Sequence, residues 1–385
     1  MDHVRDSTRN LQLLSELSLT SELSVNTDVY CDEVGGEQVS AASVSAGFLS
    51  RCYEGFFARP QRDLEELATL AHKNHVIMRS FPPLHQILGA AGHTAAAEWV
   101  ANAIEAETAR IEHALGFLEG ICAVFERAGC EVAVIKSLDH WPDLGSDLDL
   151  YTSADPNHVI ALMRACFNAK PAPRSWGDRL ANKWNFIIPG LPELVEVHMR
   201  RLGQMGEQTA LTESLVARTQ SRQVGVHRFT VAAPEERIII STLQRMYRHF
   251  YIRLCDVVDN VRLVESGAVD FGYLRGLGSA AGLWQGIATY LMLVSSYAES
   301  YRGRGIELPA SVQAAAEFGL DQIFFRRDFL RIPIMPHAAG LYAAELKSLL
   351  LKGQLRNSLR LSLLPGLATA AAVEQAITGS DKGIW

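Results

Sequence analysis

Gly145-Ser146-Asp147-Leu148-Asp149-Leu150 is the stretch on which the reading of this chain turns. Side chains two apart in a strand share a face, so Asp147 and Asp149 project together while Leu148 and Leu150 enter the core. Two carboxylates held side by side repel unless a cation sits between them. Hard oxygen donors at that separation suit Mg2+, with Mn2+ as a substitute, and Mg2+ also carries substrate phosphates. The bland alternative is a solvated strand end with two unrelated acids, because acid-x-acid is short and common.

The surroundings favour a site. Upstream, the β-branched run Glu131 to Ile135 ends in Lys136-Ser137. A tight turn there would place backbone N–H groups, the Ser137 hydroxyl and the Lys136 ammonium near phosphate oxygens. Gly145 and Ser146 open the acidic strand, and Ser146 is a second candidate phosphate ligand. Downstream, Trp184 to Ile188 and Leu194 to Met199 read as two strands joined by Pro189-Gly190-Leu191-Pro192. Glu196 alternates with Val195 and Val197 on the second of them. A third carboxylate on the same sheet would complete a site for two metal ions. Leu148 to Tyr151 and Arg228 to Val231 are further strands, and Pro156 to Asn168 reads as a helix capped by Asp155.

Val134-Ile135-Lys136-Ser137, Gly145-Ser146-Asp147-Leu148-Asp149-Leu150 and Val195-Glu196-Val197-His198 together resemble the DNA polymerase beta-like nucleotidyltransferase superfamily. Within it the chain looks most like a bacterial group of uncharacterised nucleotidyltransferases, over about residues 61–265. In that group the third acid sits in a hydrophobic-acid-hydrophobic-His segment, and a helix opening with Pro-Glu follows, matched here by Pro234-Glu235, His249 and Asp256. Two departures stand out. The turn has Lys136-Ser137 where the superfamily prefers Gly-Ser, and no Arg lies between Leu138 and Ser146.

The resemblance implies an α+β fold with a small mixed-sheet nucleotidyltransferase core flanked by N-terminal and C-terminal helical regions. Residues 1–60 are expected as an arm, 61–128 as a helical subdomain, 129–232 as the core and 233–385 as a C-terminal helical domain. It implies an ATP-binding, metal-binding transferase that moves a nucleoside monophosphate from an NTP to a hydroxyl or phosphate. The expected acceptor is a small molecule or peptide. Asp147, Asp149 and Glu196 would hold two Mg2+ ions, while Lys136, Ser137, Gly145 and Ser146 would face the nucleotide. Alternatives are a toxin-like or regulatory transferase acting on a protein or tRNA, and a catalytically silent nucleotide- or partner-binding protein.

Other residues have weaker claims. His198 shares a strand face with Glu196 and either orients the acceptor or is a satisfied structural histidine. Lys183 either reaches the triphosphate or is solvated. His249, Arg253 and Asp256 fall at spacings of four and three, which on one helix is one face, either lining the cleft or forming an ion-pair ladder. Asp256-Val257-Val258-Asp259 holds too few acids for diphosphate binding in a helical cavity. Trp284, Tyr290, Met292 and Tyr297 read as core.

Composition sets outer bounds. The 385 residues are 48% hydrophobic and 21% charged, which fits a globular chain of two or three units. Of a net charge of −7, most sits in residues 1–50, with eight acids and two bases. The near-neutral remainder argues against extended nucleic-acid binding, although Arg245, Arg248 and Arg253 could form a local basic patch. The acidic segment reads as a mobile or partner-docking arm, with a local helix over Leu11 to Leu19. Six cysteines without a C-x-x-C pair read as free thiols. No basic-then-apolar leader opens the chain, and Gly282 to Ala298 reads as a buried helix rather than a span. No membrane association and a cytoplasmic location are therefore expected.

Helical spacing of Leu64, Leu67, Leu70 and Ala71 predicts a helix broken by Pro82-Pro83. A second, longer one carries Ile104, Ile111, Leu115, Leu118, Ile121, Cys122 and Phe125 on one face and stops at Gly129. After Pro234 the pattern is helical to about residue 375, with interruptions near Gly276-Gly278, Gly303-Gly305 and Pro333-Pro336.

Overall fold

A computed structural model describes residues 2–20, 60–326, 328–367 and 369–370. The chain is α+β, with a mixed seven-stranded sheet flanked by helices from both sides of it in sequence. The strands are β1 (Val132–Val134), β2 (Asp147–Thr152), β3 (Lys170–Pro171), β4 (Lys183–Ile187), β5 (Leu194–Met199), β6 (Thr219–Val224) and β7 (His227–Ala232). Their order is β3-β4-β5-β2-β1-β7-β6. β4 and β5 form the expected antiparallel hairpin. β2 and β5 run parallel, which requires a crossover, and the helix Pro156–Phe167 lies in that connection. The Asp155 side chain accepts from Asn157 N at its start, and Asn168 closes it in a left-handed conformation.

Alternation along the strands divides the interior in two. Leu148, Leu150, Val195, Val197, Val132, Val134 and Val231 pack on Ile111 to Phe125 of the helix Thr94–Arg127. The opposite face carries Ala133, Ile135, Tyr151 and Ala232 into a second core built by helices from both ends of the chain. The acids of β2 and β5 also lie on this second face, so they look toward the C-terminal helices.

Several sequence expectations need correction. The helix over Leu64 to Ala71 ends at Asn74, and the break falls at His75, which has φ +52. Pro82 and Pro83 lie inside the next helix, Ile77–Ala90. Gly276 and Gly278 sit within the helix Phe271–Ala281, and Gly282, at φ +77, provides the interruption. The C-terminal part is not wholly helical: β8 (Tyr251–Ile252), β9 (Phe324–Arg326) and β10 (Phe329–Arg331) form a small antiparallel sheet. The N-terminal helix, Asp2–Thr20, packs Leu11, Leu14 and Leu17 into the second core, while the rest of the segment read as an arm, 21–59, lies outside the described residues. Trp284, Tyr290 and Tyr297 are core residues of the helix Trp284–Arg302. No helix among the described residues is long and apolar enough to cross a membrane. Cys122, Cys130, Cys166 and Cys255 are free thiols.

A buried arginine fastens the helical region to the sheet. Arg79 meets Asp259 at 2.6 Å, lies 3.9 Å from Asp143 and donates to Trp141 O, in the segment leading to β2. Burial pushes the Asp259 carboxyl up, but Arg79 and His140 outweigh it and hold the group below the usual carboxylate range. Removing one partner of such a pair strands the other charge. Arg79→Met should therefore cost about 3–5 kcal/mol in urea unfolding, and a loss under about 1 kcal/mol would contradict this role.

Candidate metal and phosphate site

The parallel register aligns Asp149 with Glu196 and Asp147 with Leu194. The three carboxylates therefore share one sheet face, and Asp149 and Glu196 are cross-strand neighbours. Arg110, on the helix Thr94–Arg127, secures that alignment. Its guanidinium donates to Leu144 O at 3.0 Å and to Glu193 at 2.5 Å, so one side chain holds the residues that lead into β2 and β5. Sequence reading passed over Arg110, because nothing within a helical stripe marks which charge reaches across to two strand starts.

Lys136 and Ser137 form the turn after β1. The Ser137 hydroxyl accepts from Asp149 N at 2.7 Å and donates to Asp147 O at 3.0 Å. Ser137 is buried and clasps β2, so its oxygen is already engaged. The Lys136 ammonium pairs with Asp149 and lies 3.3 Å from Glu196 Oε1. Burial opposes its charge, but Asp149 and Glu196 outweigh burial and raise its pKa. Gly145 is buried, whereas Ser146 is exposed beside Asp147 and available to a ligand.

Lys183 is buried rather than solvated. It reaches Glu196 Oε2 at 2.9 Å and Asp178 Oδ1 at 3.0 Å. Asp178, which the sequence did not mark, comes from the short helix Trp176–Leu180, and Arg248 lies 4.0 Å from it. His198 Nε2 meets Glu196 Oε1 at 2.8 Å. Burial lowers the His198 pKa to about 4 against the opposing pull of Glu196. The ring is therefore neutral near pH 7 and donates from Nε2, which leaves the buried Nδ1 without a partner.

His249, Arg253 and Asp256 do not share one helix. A wide π-type turn, Leu243–His249, ends the first helical segment, and Phe250 turns left-handed at φ +54. Tyr251 and Ile252 then pair with β10, and the helix Leu254–Glu265 starts afresh. Pairing with β10 satisfies backbone groups that a continuous helix would have bonded internally. Asp256 caps the new helix through Arg253 N at 2.7 Å and pairs with buried Arg245, also at 2.7 Å. Arg245 is thus no part of a surface basic patch. Arg253 bonds His75 Nε2 at 2.6 Å. Burial and the Glu196 charge push the Asp147 carboxyl up, against the smaller pull of Lys136, Lys183 and Arg253. Burial and the nearby Arg248, Arg245, Arg253 and Lys136 keep His249 uncharged.

Carboxylate chemistry fits a divalent cation. Asp149, Glu196 and His198 place three ligand atoms within 4.8 Å of one another. Burial raises the Asp149 carboxyl, and the charges of Glu196 and Asp147 add to that rise against Lys136. Glu196, contacted by Lys136, Lys183 and His198, is held well below the usual range despite burial. Like charges packed this closely favour a cation between them, and Lys136 and Lys183 already stand beside the pair. A second buried group, His140, Cys255 and Asp259, is different: Asp259 is already matched by Arg79 and His140.

No family model matches the chain, and no curated protein matches it significantly. Among solved structures it is similar to the crystal structure of an antigenic nucleotidyltransferase-like protein from Paracoccidioides brasiliensis. The identity is 12% and the TM-score 0.30, over 40% of this chain and 77% of that one. A likeness that partial carries no functional argument.

Two outcomes test this geometry. Ser137→Ala removes the clasp on β2 and should cost about 1–3 kcal/mol in thermal unfolding; a neutral substitution would contradict the clasp. For His198 the folded pKa is below the unfolded one. The unfolded chain therefore binds more protons between about pH 4 and 6.5, and stability falls as the pH drops through that window. The His198 C2–H resonance should titrate near pH 4, and a midpoint above about 6 would overturn the assignment of a buried neutral ring.

Proposed function

We propose that the protein is a metal-dependent nucleotidyltransferase that moves a nucleoside monophosphate from an NTP, with ATP as the expected donor, to a small-molecule or peptide acceptor. The observation that carries this reading is Asp149 lying opposite Glu196 on one buried sheet face, with Asp147 two residues away. Structural proteins avoid such a cluster, because three acids in low dielectric repel.

Asp147, Asp149 and Glu196 would hold Mg2+. When bound, the metal neutralises phosphate charge and lowers the pKa of an acceptor hydroxyl. The chain's own groups supply the rest. Lys136, Lys183, Arg248 and Arg253 surround the acids and suit a triphosphate, whose charge they would balance. Ser146, exposed at the mouth, can donate to a phosphate oxygen. The acceptor oxygen forms its bond to the α-phosphorus as the bond to the β-phosphate oxygen breaks, and pyrophosphate leaves. The acceptor proton passes to a site carboxylate, and Asp147, the most exposed of the three, is the best placed.

One observation favours a second reading. Because Lys136 already contacts both Asp149 and Glu196, the chain could bind nucleotide without metal and be catalytically silent. Action on tRNA is less favoured, since Arg245 is buried against Asp256.

Mg2+-dependent pyrophosphate release, assayed with each NTP and a panel of hydroxyl and peptide acceptors, separates these readings. Asp147→Asn and Asp149→Asn should each lower the rate about a hundredfold or more while circular dichroism stays unchanged. Wild-type release that survives either change would sink the transferase reading.

A further inference from the structure

We infer that Lys136 is a tethered counter-cation that competes with the divalent metal for Asp149 and Glu196, so that metal enters the site only as its ammonium moves away. The inference rests on the proposed metal site and concerns how that site is filled. The ammonium pairs with Asp149 Oδ1 and lies 3.3 Å from Glu196 Oε1. Those residues, with His198, form one of two groups among the described residues whose ligand atoms converge closely enough to share an ion. Mg2+ bonds carboxylate oxygens at about 2.0–2.1 Å. An ammonium and a divalent ion on the same oxygens repel at short range, and burial weakens the screening of that repulsion.

The backbone holds the lysine in this position. Lys136 has φ +63 and ψ −62, and Ser137 N bonds Ile135 O at 2.7 Å. That is a γ-turn of the rare, strained hand, and a side chain on its central residue makes it costlier than glycine would. Ser137, clasped to both Asp147 O and Asp149 N, prevents the turn from relaxing. The strained residue is thus the one whose charge fills the acid cluster. Lys183 contributes differently. It divides itself between Glu196 and Asp178 and lies on the far side of Glu196, so it has no contact with Asp149.

Competition has a thermodynamic consequence. Free metal must displace an internal ion pair, whereas a metal nucleotide brings phosphates that give the ammonium a new partner. Metal and nucleotide therefore favour each other's binding, and each raises the other's affinity by the same factor. The acids are also matched by a cation before ligand arrives, which lets them remain buried together in the ligand-free fold.

Mn2+ titration of the full chain without nucleotide, followed by electron paramagnetic resonance of the free ion, tests this directly. Lys136→Met removes the charge at nearly constant volume and should bind Mn2+ on the order of tenfold more tightly than wild type. Lys136→Arg keeps the charge and should bind like wild type, and Asp149→Asn added to Lys136→Met should abolish the gain. Lys136→Gln provides a second neutral variant if the methionine chain does not fold. Neutral variants that bind Mn2+ no more tightly than wild type, while Asp149→Asn still weakens binding, would overturn the inference and leave the metal site standing. Absence of Mn2+ binding in wild type and every variant would overturn both.

Discussion

Two carboxylates face each other across a parallel strand pair in the interior, and much of the surrounding structure answers the repulsion between them. Asp149 and Glu196 are fixed in register by backbone hydrogen bonds, so they cannot swing apart as surface acids would. Burial makes their shared negative charge expensive. Lys136, Lys183 and the neutral His198 each reduce that cost from a different direction. All three contact Glu196, whereas of the three only Lys136 pairs with Asp149.

Holding this arrangement takes structure from distant parts of the chain. Arg110 joins the starts of β2 and β5, and Arg79 joins the segment before β2 to the helix Leu254–Glu265. The sheet has one face committed to an apolar core, so the register is strongly specified: a one-residue slip would bury Asp149 among leucines. The second face can then carry polar chemistry, roofed by helices whose cations Arg248 and Arg253 look back at the acids. The wide turn Leu243–His249 and the β8 segment interrupt those helices beside the site, where irregular backbone is common in functional centres.

Much of this was legible in the sequence, for identifiable reasons. β1, β2, β4, β5 and β7 carry apolar residues at every second position, and Asp155 and Gly129 mark helix ends chemically. β6, Thr219–Val224, was missed because it is an edge strand whose residues are almost all polar or exposed. The restart at Leu254 was missed because its cause, pairing of Tyr251 with Arg331, lies eighty residues away in sequence. At the site, the three acids followed from spacing, yet their partners did not. Whether Lys183 is solvated or buried, whether Ser137 faces a phosphate or clasps a strand, and that Asp178 and Arg110 take part are all decided by tertiary contacts. Spacing places a residue on a face; it does not say what comes to meet it.

The central claim is that this acid cluster is built to hold a divalent ion that carries a nucleotide's phosphates. Anomalous diffraction from crystals grown with Mn2+ and a non-hydrolysable ATP analogue measures that claim most directly. The account predicts an anomalous peak at about 2.0–2.2 Å from oxygens of Asp149 and Glu196, with the triphosphate beside it and the Lys136 ammonium moved onto a phosphate oxygen. A nucleotide bound elsewhere, or Lys136 still seated between the two acids with no anomalous peak there, would contradict it.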